Sequence, residues 1–203
     1  IGLTTLAEVG LFAGSSIMMG WVGEIALAAH GVALQIASIT FMIFVGLSQA
    51  VTVRGGQAWG RGDARALGEI TGVGMAIAGC AAVAIILAFL LLPDVLMGAF
   101  VDPDDPARPD ILALGAVFLA VAAAFQFFDA GQVLAVGGLR AAQDTLVPMI
   151  IAVISFWGIG MPAAYILGFT AGLGGLGIWI GLTLGLAFDA ILLQARFWRR
   201  FAR

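Results

Sequence analysis

Six apolar runs, each long enough to cross a lipid bilayer, follow one another with only short connectors between them. They cover about residues 1–21, 25–53, 66–92, 111–139, 145–169 and 173–195. A helical span needs roughly 20 apolar residues, whereas a membrane strand is only about 9–11 residues long and alternates in polarity. These runs do not alternate. In lipid every backbone N–H and C=O must pair within its own segment, and a helix does that. The expected fold class is therefore an all-α membrane protein of six transmembrane helices.

Composition agrees. Of the 203 residues, 62% are hydrophobic and only 10% are charged, against about 25% charged in a soluble domain. Six spans and their connectors use the whole chain, so residues 1–203 read as one transmembrane unit with no separate soluble domain. The net charge of −3 is modest, and no nucleic-acid partner is expected; the partner this composition demands is the lipid bilayer. The lone Cys80 cannot form an internal disulfide and reads as a small buried apolar residue. The first run begins at Ile1 without Met or a basic n-region, so the chain is expected to be part of something longer.

The connectors carry most of the charge. Gly20–Glu24 reads as a tight turn and Arg54–Arg65 (RGGQAWGRGDAR) as a polar, glycine-rich loop. Pro93–Asp110 is acidic and proline-rich, Arg140–Asp144 is short, and Gly168–Gly175 is rich in glycine. All nine cations are Arg. With six spans, Arg54, Arg61, Arg65, Arg140 and the tail Arg196, Arg199, Arg200 and Arg203 fall on one side. Arg108 lies on the other, among Asp102, Asp104, Asp105 and Asp110. The positive-inside rule makes the Arg-rich side cytoplasmic, with both chain ends there. Trp21 and Tyr165 then fall near outer helix ends and Trp198 near an inner one, as interfacial aromatic rings do. Gly177, Gly181 and Gly185 recur every four residues in the sixth run, a small-residue stripe that admits a close neighbouring helix.

Three acids lie inside spans: Glu8, Asp129 and Asp189. A bare carboxylate at mid-membrane costs roughly 3 kcal/mol or more, so such residues face a cavity or a partner. Thr4, Glu8 and Ser15 share one helical face. Gln126, Asp129 and Gln132 share another, in FQFFDAGQVL. Both faces should look inward. An acid in such a place can take up a proton or hold a cation, and either couples conformation to an ion gradient. Asp189, two turns from the Arg-rich tail, reads as a near-interface residue or half of an internal ion pair. His30, the only histidine, reads first as a hydrogen-bonded structural residue that can titrate near neutral pH. No Walker loop, HExxH, Cys/His metal spacing or GxSxG turn is present, and an enzyme is not expected.

The run from AEVGLFAGSS through VTVRGGQAWGRGD resembles the seventh and eighth helices of multidrug and toxic compound extrusion (MATE) transporters of the NorM-like kind. FQFFDAGQVLAVGGLRAAQDT resembles their tenth helix and the following loop, and YILGF the end of the eleventh. The resemblance covers essentially the whole chain. It implies the C-terminal six-helix lobe of a twelve-helix transporter, with an N-terminal lobe, or a second copy, as partner. It also implies the cytoplasmic (inner) membrane of a bacterial-type cell, and export of cationic amphipathic molecules in exchange for Na⁺ or H⁺ by alternating access, with no other cofactor. The family's cation-linked acids match Glu8 and Asp129. Thr4, Ser15, His30, Phe125, Gln126, Phe128 and Gln132 are candidate cavity-lining residues. Phe125 stands where well-known members carry Tyr, which removes one hydroxyl ligand, and Gly31 stands where they often carry Gln. The alternatives are a lipid-linked precursor flippase of the same superfamily and a non-transporting membrane scaffold. A flippase would line its cavity with several cations, and a scaffold would tolerate neutral residues at positions 8 and 129.

Overall fold

The computed structural model describes residues 2–201, apart from the side chains of residues 3–5. Helices α1 (Gly2–Val22), α2 (Glu24–Gly60) and α3 (Ala64–Leu91) are followed by a short α4 (Pro93–Gly98) and then α5 (Arg108–Ala141). Two more complete the bundle: α6 (Leu146–Thr170) and α7 (Gly174–Phe201). Five of them, α2, α3, α5, α6 and α7, are long and apolar enough to cross a membrane, and Leu6–Val22 of α1 is a shorter apolar helix. At about 1.5 Å per residue, the 21 residues of α1 also reach across a hydrocarbon core of roughly 30 Å. No strand occurs among the described residues.

Helix α5 is the hub. It packs against α2, α3 and α7, while α6 closes on α7 and α1. In lipid, apolar burial between helices drives little, so small residues and side-chain hydrogen bonds hold them together. Ser48 Oγ donates to the Val133 carbonyl at 2.8 Å, and Thr52 Oγ1 to the Gly137 carbonyl at 3.1 Å, which stitches α2 to α5. A Cβ at Gly137 would lie 2.5 Å from Ser48 Oγ, so that stitch requires glycine.

The stripe on α7 meets α6. A Cβ on Gly177 would lie 2.4 Å from the Leu167 carbonyl carbon, on Gly181 2.2 Å from the Ala164 nitrogen, and on Gly185 2.7 Å from the Gly160 Cα. Backbone rests on backbone along this contact. Helix α6 is itself irregular. It widens into π-helical turns at Ile154–Gly160 and Ile166–Thr170, on either side of Pro162, which has no N–H to offer the helix.

Helix ends explain two departures from the expected boundaries. Arg54–Gly60, expected as loop, continues α2 for two more turns. Its glycines serve packing rather than turning: a Cβ on Gly55 would lie 2.7 Å from Leu67 Cδ1 and 3.1 Å from Ala141 Cβ. The turn falls instead at Gly62 (φ +78°), whose amide reaches the Trp59 carbonyl at 2.9 Å, while Asp63 N reaches Ala58 O at 3.0 Å. Asp63 then caps α3 through the Ala66 amide, 2.9 Å away. The tail is helical to Phe201, because Phe197 and Phe201 are buried and Asp144 binds both Arg196 and Arg200, at 2.7 and 3.0 Å. Cys80, expected to be buried, is exposed on the outer face of α3. Trp21, Tyr165 and Trp198 are exposed near helix ends.

A candidate cation and substrate cavity

Two acids inside spans of different helices meet at one opening. Glu8 of α1 and Asp129 of α5 line a pocket of about 150 Å³ with Phe12, Leu34, Ala37, Ser38, Phe41, Phe125, Gln126 and Trp179. Glu8 is half-buried, and Asp129 is 2% exposed. The walls are mostly aromatic and aliphatic. Phe12 and Phe125 meet edge to face with centroids 6.0 Å apart, and Phe125 meets Trp179 at 6.3 Å.

Glu8 also borders a second pocket of about 300 Å³, with Ser48, Gln49, Gln132 and Arg140 among its lining. The α1 carboxylate thus stands where the two openings join. The Arg140 guanidinium shares the second opening with it, so this region carries opposite charges while the first pocket carries only acids.

Gln126 shows how the site is positioned. Its Nε2 donates to the Ala37 carbonyl at 3.3 Å and to Thr40 Oγ1, fixing α5 against α2 beside Asp129. Its Oε1 is buried without a partner. On the α1 side, Trp157 of α6 donates its indole N–H to the Ala7 carbonyl at 3.1 Å. That contact holds the α1 turn that carries Glu8.

The other expected lining residues separate. Gln132 lines the second pocket. Phe128 lies in a different pocket, between α3, α5 and α7, with Met75, Phe127 and Gln194. It turns away because two residues of an α-helix differ by about 100° per step, and Asp129 takes the inward direction. Ser15 and His30 are fully buried. His30 Nε2 lies 3.4 Å from both Ser15 Oγ and Ser16 Oγ, and its ring meets Trp179 edge to face at 5.6 Å. They sit behind the cavity wall and tie α1 to α2. Thr4's side chain lies outside the described residues.

Phe12, Phe41 and Trp179 line the pocket without having been singled out from sequence. Trp179 left a signal. It sits in GIWIGL, well inside an apolar run, whereas membrane Trp residues usually gather at the interfaces. It is fully buried with its indole N–H unpartnered.

Asp189, expected near the interface or in an ion pair, is fully buried, and neither of its oxygens has a hydrogen-bond partner. Among the described residues no ion pair reaches it.

The fold and this constellation have known counterparts. The family model MatE matches residues 1–166. The chain is 41% identical over 208 aligned positions to the probable multidrug resistance protein NorM of Brucella suis biovar 1, covering 98% of this chain and 42% of that protein. It is 45% identical to the probable multidrug resistance protein NorM of Rhizobium meliloti, covering 100% of this chain and 44% of that protein. The chain therefore spans less than half the length of these relatives. Among solved structures, a MATE protein crystallised in its straight conformation superimposes with a TM-score of 0.87 at 18% identity, covering 98% of this chain and 44% of that one. An inward-facing multidrug resistance MATE family transporter gives 0.80 over the same shares. These likenesses establish the fold as half of a MATE-type architecture, and with the family match over most of its length the chain is a multi-pass membrane protein that belongs to the MatE family.

Proposed function

We propose that this chain is the C-terminal lobe of a cation-coupled multidrug efflux antiporter, acting in the cytoplasmic membrane with its Arg-rich side inward. One observation carries the reading: Glu8 and Asp129, from separate helices, open onto one aromatic pocket. A pocket walled by rings suits a flat apolar body, and its paired acids suit a positive charge. That combination is what a cationic amphipathic drug presents.

Coupling follows from competition. When the carboxylates hold Na⁺ or protons, a cationic drug loses its counter-charge and is released. When they are empty, they attract it again. A ligand shifts an equilibrium only by its differential affinity for the two states, and acids that both ion and drug address make that coupling direct. This lobe supplies one wall only, and the partner is an N-terminal six-helix lobe, or a second copy in its place.

The test is drug efflux from vesicles under an imposed Na⁺ or H⁺ gradient, with Glu8→Gln and Asp129→Asn. Both variants should lose gradient-driven export while still reaching the membrane. Unchanged export in both would remove the coupling assignment, and the comparison of Na⁺ with H⁺ gradients identifies the ion.

A further inference from the structure

Behind the cavity lies a second acidic site that the mechanism above does not use. Asp189 of α7 is enclosed between α5 and α6, and Gln132 of α5 and Ser155 of α6 face its carboxyl. Asp189 and Ser155 are 0% exposed and Gln132 is 4% exposed. Both Asp189 oxygens, Gln132 Oε1 and Ser155 Oγ lack any hydrogen-bond partner. Two carboxylate oxygens and one amide oxygen, which can only accept, thus lie buried without partners beside a hydroxyl that can accept or donate.

Such an arrangement is costly if it stays empty. An unsatisfied buried polar group destabilises the fold, and a buried charge does so more. Native structures seldom leave several such groups together without a ligand. We infer that Asp189, Gln132 and Ser155 bind a small monovalent cation, Na⁺, at a site distinct from the Glu8 and Asp129 pocket.

The chemistry narrows the ligand. Carboxylate, amide and hydroxyl oxygens are hard donors and suit a hard cation rather than a transition metal. One carboxylate balances one positive charge. The charged group on the neighbouring helices that bears on it is Glu8 of α1, which adds negative potential, while Asp129 of α5 faces the first pocket. Helix α6 brings no ionisable side chain here; its Tyr165 is exposed at the helix end. Arg140 borders the Glu8 opening.

The backbone favours the site too. Ser155 belongs to the π-helical stretch of α6, a form that often marks functional positions. A Cβ on Gly185 would lie 2.9 Å from the Ser155 carbonyl oxygen. That glycine, one turn before Asp189, lets α6 come close enough to bring Ser155 against α7. Gln132 also lines the opening that Glu8 borders, so one side chain separates the two places.

The test compares the thermal stability of the full-length protein in detergent in NaCl and in KCl at equal ionic strength, because a ligand that binds only the folded state raises its midpoint. Glu8→Gln with Asp129→Asn removes the outer acids. That double variant should keep a saturable, Na⁺-specific rise in midpoint. Adding Asp189→Asn should abolish it, and adding Ser155→Ala instead should raise the half-saturating Na⁺ concentration about tenfold. Loss of the Na⁺ response in the double variant alone would overturn the site. So would its survival with Asp189→Asn, or an unshifted Na⁺ dependence with Ser155→Ala should Asp189→Asn fail to fold. A stabilisation that follows pH and ignores Na⁺ would overturn it in favour of a proton. The readout is binding, so failed transport in the double variant leaves this result separately legible.

Discussion

Asp129 and Asp189 are both buried acids inside membrane spans, yet their surroundings are opposite. Asp129 sits at the rim of an open pocket among rings that nothing in this lobe covers. Asp189 sits where α6 and α7 press backbone to backbone along a stripe of glycines. Depth in the fold is the same for both. The difference lies in the space in front of each carboxyl, and that space decides what it can meet. An open pocket of about 150 Å³ lies before Asp129, whereas Asp189 is wholly enclosed by its neighbouring helices.

This contrast can be broken or sharpened by substitution, beginning with the packed side. Gly181→Leu forces a side chain onto the α6 backbone, where even a Cβ would lie 2.2 Å from the Ala164 nitrogen. We expect a loss of roughly 4 kcal/mol or more, seen as failure to recover folded protein by size exclusion in detergent. Normal folding of this variant would show that the α6–α7 contact can open, and would erase the distinction between the two acids.

On the open side, Asp129→Asn should leave the folded yield unchanged while gradient-driven drug efflux falls on the order of tenfold or more. A fall in yield that matches the fall in efflux would make Asp129 a packing residue like its neighbours. Smaller effects come from the α2 side chains that support α5, the helix that carries both Asp129 and Gln132. Ser48→Ala removes the 2.8 Å bond to the Val133 carbonyl and should lower stability by about 1 kcal/mol in a denaturation series. Its influence on efflux should be slight, since it loosens the support of α5 rather than the pocket. At the outer face, Cys80→Ala should change stability by less than about 0.5 kcal/mol. A thiol reagent that partitions into lipid should label Cys80 in the native protein, because the residue is exposed.

Much of the bundle was legible from residues alone. Apolar runs that outlast a bilayer's thickness leave the backbone no alternative to helix, so element type and order followed directly. Gly62 and Asp63 illustrate where legibility stopped. The stretch RGGQAWGRGD contains five glycines and arginines before Gly62, and composition alone cannot tell which glycine turns the chain. Contact decided it: Gly55 fits against Leu67 and Ala141, and Gly62 is left to adopt positive φ. Glu8 and Asp129 could be singled out because a carboxyl inside a span demands an explanation. Phe12 and Phe41 could not, since an aromatic residue in a span is ordinary.

What the sequence determined by itself is the solvent, the helices and the few polar side chains that lipid would reject. Those follow from local length, composition and the cost of an unpaired group in hydrocarbon, and none needs a second helix to be stated. Only the tertiary structure decided which polar residues share a space. It turned Phe128 away from Asp129, placed His30 and Ser15 behind the wall, and brought Asp189 to Gln132 and Ser155 rather than to an arginine. The reason is physical. Helical periodicity says which residues share a face, but helix crossings, set here by glycines and serines scattered through the chain, say which faces meet.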